Sequence, residues 1–105
     1  MKQLHPRYKA KAAILKALAH PSRLFIIETL EQGERCVCEL TEMIGSDFST
    51  VSKHLTQLKN AGLVSDEKRR QQVFYSLTTP CVLRFLSCVE AVQQAKAKEL
   101  ERALA

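Results

Sequence analysis

The sequence has no apolar run long enough to cross a bilayer. Its longest, Ala12 to Leu15 and Leu24 to Ile27, fall far short of the roughly 20 residues that a spanning helix needs. The opening segment Met1-Lys2-Gln3-Leu4-His5-Pro6 lacks the apolar stretch of about 7 to 15 residues that marks a secretory signal, so a cytoplasmic protein with no membrane partner is expected. No internal repeat, low-complexity tract or long Gly/Ser/Pro linker is present, which excludes a solenoid and a string of tethered modules. A βαβ pattern is missing too. The short cysteine pair Cys36-Val37-Cys38 therefore lacks the setting of a thiol oxidoreductase, and no enzyme is expected. What remains is 105 residues, 46% of them hydrophobic. That is enough for one core and too short for two, so residues 1–105 read as a single domain.

A formal charge of +5 raises the expectation of a polyanionic partner, and the placement of the cations matters more than their sum. Four cysteines in a chain without a secretory signal point to free thiols used for metal or redox chemistry rather than to a disulfide framework.

Breaks at His20-Pro21, Gly33, Gly45-Ser46-Asp47, Gly62 and Thr79-Pro80 divide the chain into short elements. Tyr8 to Leu18 carries Ile14, Leu15 and Leu18 at helical spacing, and Pro21 suits the first position of a second helix with Leu24, Ile27 and Leu30 inward. Cys36 to Ile44 reads as a third helix through Val37, Leu40 and Ile44, closed by Gly45. Asp47 is a good N-cap for a fourth, running to Ala61 with Val51, Leu55 and Leu58 on its apolar face. Thr50, Lys53, His54 and Gln57 form a polar stripe beside that face, flanked by Ser49 and Ser52. Leu63 to Ser65 and Gln72 to Leu77 read as a β-hairpin around the charged tip Asp66 to Gln71. Pro80 opens a last helix with Leu83, Leu86, Val89 and Val92 in one stripe, fading into the Ala-rich, charged tail Lys96 to Ala105. The expected fold is mainly α with a β-hairpin wing, in the order ααααββα.

Two short helices joined by a tight glycine turn, the second capped and polar outward, are the sequence form of a helix-turn-helix. Its second helix would enter the major groove N-terminus first, which singles out Phe48, Ser49, Ser52 and Lys53 for base edges, with Thr50 also in the DNA-binding set and His54 and Gln57 for phosphates or the groove wall. Lys68, Arg69, Arg70 and Gln71 at the hairpin tip suit phosphates or the neighbouring minor groove. Each piece alone has a plainer reading: a polar face is usually just solvated, a Lys/Arg run is usually a soluble loop, and Phe48 equally suits a hydrophobic staple. Their order along the chain favours double-stranded DNA.

The segments Leu18-Ala19-His20-Pro21-Ser22-Arg23-Leu24, Glu34-Arg35-Cys36-Val37-Cys38-Glu39-Leu40, Ser49-Thr50-Val51-Ser52-Lys53-His54-Leu55, Gly62-Leu63-Val64 and Val73-Phe74-Tyr75-Ser76-Leu77 together resemble the ArsR/SmtB metal-sensing winged-helix repressors. The resemblance covers most of the chain. It implies a homodimer joined by the first and last helices and a palindromic double-stranded DNA operator. It also implies an inducer bound at Cys36 and Cys38: arsenite first, or antimonite, cadmium, lead or zinc. Two departures stand out: Thr41 occupies the place of a third cysteine found in arsenite sensors, and Arg70-Gln71 replaces the customary glycine of the wing tip. The histidine-rich zinc pattern of the last helix has no counterpart, since His5, His20 and His54 are the three histidines.

On a helix, residues two apart point about 200° apart, so two thiolates cannot face one ion until the first turn unwinds. That distortion would pass directly to the helix behind it. The helix dipole and Arg35 are expected to favour ionised thiols there, which select soft ions over magnesium or calcium. A redox or persulfide sensor using a disulfide among Cys36, Cys38, Cys81 and Cys88 is the alternative. Cys81 and Cys88, seven apart on the last helix, are expected to pack at the dimer interface.

Overall fold

The computed structural model describes residues 3–105; Met1 and Lys2, the first residues of the expected domain, lie outside them. The element order is α1 (Pro6–Leu18), α2 (Pro21–Leu30), β1 (Arg35–Cys36), α3 (Val37–Ile44), α4 (Phe48–Asn60), β2 (Val64–Arg69), β3 (Gln72–Leu77) and α5 (Val82–Leu104). This is the expected helical fold with a hairpin wing, plus one short strand that no pattern announced. β1 pairs antiparallel with β3, giving a three-stranded sheet in the order β1-β3-β2.

α1 and α2 begin with the same device. His5 Nδ1 accepts from the Arg7 amide at 3.1 Å and His20 Nδ1 from the Ser22 amide at 3.0 Å, with proline at the first helical turn in each case. The imidazole thus takes an orphan N–H, and the ring of proline supplies a residue that has none.

The core gathers Ile26 and Ile27 of α2, Leu40 of α3 and Val51, Leu55 and Leu58 of α4, all without exposed surface. Leu18, Leu63, Val64, Tyr75, Val82 and Leu86 close around them. Each fully buried Leu or Ile contributes about 1.5–3 kcal/mol relative to exposure. Leu18 and Leu86, expected at a subunit interface, are therefore spent inside the protomer.

Three boundaries differ from expectation. Helix three begins at Val37 because Cys36 is extended (φ −78°, ψ 161°) and acts as its N-cap. The hairpin strands run on to Arg69 and restart at Gln72, which shrinks the tip to Arg70-Gln71. The last helix starts at Val82, two residues after Pro80, and continues through the supposed tail to Leu104. Its 23 residues span roughly 34 Å. Only its first turns reach the core. On its other side Phe85, Val89 and Val92 are 45%, 42% and 67% exposed, as are Ile14 and Leu15 of α1 in part.

Candidate nucleic-acid interface

α3 ends at Gly45, whose φ of 79° makes the left-handed turn into α4, a conformation that costs other residues about 1–2 kcal/mol. Asp47 Oδ1 then accepts from the Thr50 amide at 3.0 Å; the Thr50 side chain first and this amide second draw the Asp47 pKa down. α4 is split lengthwise. Val51, Leu55 and Leu58 are buried, while Phe48, Ser49, Thr50, Lys53 and Gln57 are exposed together on the outer side, with Ser52 half-buried at the margin. Phe48 keeps 58% of its surface in solvent, so it does not pack as a staple.

His54 stands apart from that set. Its Nδ1 accepts from Arg23 Nε at 3.1 Å, and its ring lies 4.3 Å from the His20 ring. Arg23 also donates to the Ala17 carbonyl at 3.2 Å. Burial first, then His20 and Arg23, push the His54 pKa down. The imidazole is neutral, with its proton on Nε2 because Nδ1 is an acceptor. His54 thus fastens α4 to α2 and the end of α1. Nothing in the spacing of the sequence announces that His20 and Arg23 converge on it.

The wing cations also divide. Lys68, Arg70 and Gln71 are exposed, and Arg70 sits at φ 57° in the two-residue turn, where glycine is the usual occupant. Arg69 instead pairs with the Glu34 carboxylate, lies 3.6 Å from Glu67 and places its guanidinium 4.4 Å from the Phe74 ring centroid.

The two cysteines have opposite surroundings. Cys36 is 6% exposed. Its Sγ accepts from the Glu39 amide at 3.4 Å, and its own amide donates to Glu39 Oε1 at 3.2 Å, a reciprocal capping box with sulfur in place of the usual hydroxyl. Burial raises the Cys36 pKa, with the Glu39 amide pulling the other way and the Glu39 carboxylate adding to the rise. The expectation of an easily ionised thiol is overturned at Cys36, because desolvation and a neighbouring carboxylate outweigh the helix end. Cys38, inside the first turn, is exposed. Thr41, at the place of a third sulfur, donates its hydroxyl to the Val37 carbonyl at 2.8 Å. Among the described residues no three His, Cys, Asp or Glu side chains gather as a metal-holding group. Two soft donors are therefore on hand two positions apart, one buried in a helix cap and the other exposed on the first turn. Cys81 and Cys88 are both exposed.

Comparison with known proteins agrees with this geometry. The sequence pattern of the family described as "Bacterial regulatory protein, arsR family" matches residues 20–66. The biofilm growth-associated repressor of Xylella fastidiosa is 32% identical over 96 residues, covering 91% of this chain and 84% of the relative. Nodulation protein NolR of Rhizobium meliloti is 32% identical over 84% of this chain and 72% of its own. The homodimeric winged helix-turn-helix DNA-binding domain of a Mycobacterium bovis protein, solved in solution, superposes with a TM-score of 0.73 at 31% identity, covering 90% of this chain and 91% of that one. The fold is a winged helix-turn-helix, the relatives are transcriptional regulators, and the chain belongs to the arsR family of bacterial regulatory proteins.

Proposed function

We propose that this chain is a cytoplasmic, homodimeric repressor of one winged-helix domain per protomer, which releases its operator when a thiophilic ion, arsenite first, engages Cys36 and Cys38. The observation that carries the reading is the position of Cys36. One residue closes β1, caps α3 and supplies a thiol, and α3 is the helix that seats α4. An ion shared with exposed Cys38 draws on the same Sγ that accepts from the Glu39 amide, so ligand binding acts on the cap that satisfies the start of α3. A coupling of about 1–3 kcal/mol between ligand and DNA suffices for a several-fold to hundredfold loss of affinity.

Phe48, Ser49, Thr50, Ser52, Lys53 and Gln57 are the α4 residues for the major groove, and Lys68 and Arg70 the wing residues for phosphate. The exposed stripe Phe85, Val89 and Val92 with Ile14 and Leu15 is the face on which two copies join. A two-fold dimer implies two half-sites about one helical turn apart.

The test is release of reduced protein from the DNA upstream of its own gene, titrated with arsenite, antimonite, cadmium, lead, zinc and peroxide. Release by arsenite that a Cys36→Ser/Cys38→Ser variant no longer shows supports the reading. Release by peroxide alone replaces it with a redox sensor using Cys81 or Cys88. Failure to bind DNA at low salt removes the repressor.

A further inference from the structure

Directly paired residues of an antiparallel sheet share a face. The registers Glu67↔Phe74 and Arg69↔Gln72 in β2·β3, and Cys36↔Phe74 in β1·β3, therefore put Cys36, Glu67, Arg69 and Phe74 on one face. Across that face Arg69 reaches from β2, over the Phe74 ring, to Glu34 just ahead of β1. A guanidinium suits this task because its plane stacks on an aromatic ring while its edge meets carboxylates. Lys68 alternates onto the other face, and neither it nor Arg70 makes an ion pair among the described residues.

We propose that Arg69 is a positioning residue that ties the wing to the Cys36 segment without touching DNA, so that the cysteine site acts on the operator through the wing as well as through α3. The regulatory half of this rests on the reading of Cys36 and Cys38 as the inducer site. Only one residue, Arg35, separates Glu34 from Cys36 along the chain. Movement of Cys36 out of its cap is felt at Glu34, the Glu34–Arg69 pair opens, and the wing loses the contact that sets its orientation. Phosphate binding by the wing then falls to Arg70 and Lys68.

The experiment measures affinity for a mixed-sequence duplex and for the upstream DNA against salt concentration, without inducer. It uses wild type, Arg69→Gln, Arg70→Gln, Glu34→Gln and the double variant Glu34→Gln/Arg69→Gln. Each lost phosphate contact flattens the slope of log K against log salt by about 0.9. Arg70→Gln flattens it by that amount, whereas Arg69→Gln leaves it unchanged. Arg69→Gln and Glu34→Gln each weaken upstream DNA binding by about two- to fivefold, as expected for an exposed pair, and the double variant is no weaker than Arg69→Gln alone, because one tie is lost once. Both single variants also shrink the arsenite-driven release factor. A slope loss in Arg69→Gln equal to that of Arg70→Gln, or a double variant whose loss is the product of the two single losses, overturns the proposal. If arsenite fails to release the wild type, the inducer reading falls, and the salt slopes still decide whether Arg69 is a tie or a DNA contact.

Discussion

Replacing Cys36 by serine and by alanine separates its two duties. In the structure the thiol is a helix cap: Sγ accepts from the Glu39 amide, and Glu39 answers on the Cys36 amide. Sulfur is a weak acceptor. Serine puts an oxygen, the preferred cap atom, in the same sequence frame Ser-Val-Cys-Glu, so Cys36→Ser leaves stability level or raises it by up to about 1 kcal/mol. Alanine removes the acceptor and costs about 0.5–2 kcal/mol. For a domain of this size 1 kcal/mol shifts the melting temperature by about 4–8 °C. Circular dichroism melts at equal protein concentration then place Cys36→Ala several degrees below wild type and Cys36→Ser at or above it, while both lose the response to arsenite. The reasoning is refuted by an alanine variant as stable as wild type, or by a serine variant that melts below alanine.

Other outcomes follow from the same geometry. Leu55→Ala, at a fully buried site between α2 and α4, lowers stability by about 2–5 kcal/mol, and urea titration reads it; a cost below 1 kcal/mol refutes the core assignment. His54 has a depressed pKa, so lowering pH through its unfolded value near 6.5 protonates the unfolded chain before the folded one. Melting temperature accordingly falls from pH 7.5 toward 5.5, and His54→Gln reduces that dependence. Iodoacetamide labels exposed Cys38 well before Cys36, and mass mapping that finds Cys36 first contradicts the capped thiol. Phe85→Glu yields a monomer in sedimentation and weakens DNA binding, whereas an unchanged dimer moves the interface elsewhere.

The helices were legible because their apolar residues recur at helical spacing and their ends carry Pro21, Gly45 and Asp47. The wing was legible from β-branched and aromatic residues around charges. β1 was not: two residues, Arg35 and Cys36, have no periodicity, and the strand exists because β3 offers an edge. Charge alone likewise did not separate Arg69 from Arg70, since the difference lies in Glu34 and Phe74, one distant in sequence and the other on the next strand. The contacts of His54 were hidden for a similar reason: a helical wheel shows where a side chain starts and not that Arg23 and His20 meet it from outside α4.

The turn between β2 and β3 sets stability against charge at a single position. Arg70 holds a left-handed conformation that costs a residue with a Cβ about 1–3 kcal/mol, and glycine would adopt it freely. Arg70→Gly should therefore give a more heat-resistant protein with one cation fewer for phosphate. The sequence that folds best and the sequence that grips DNA best differ at this residue, and a search for thermostable variants would find the first at the expense of the second.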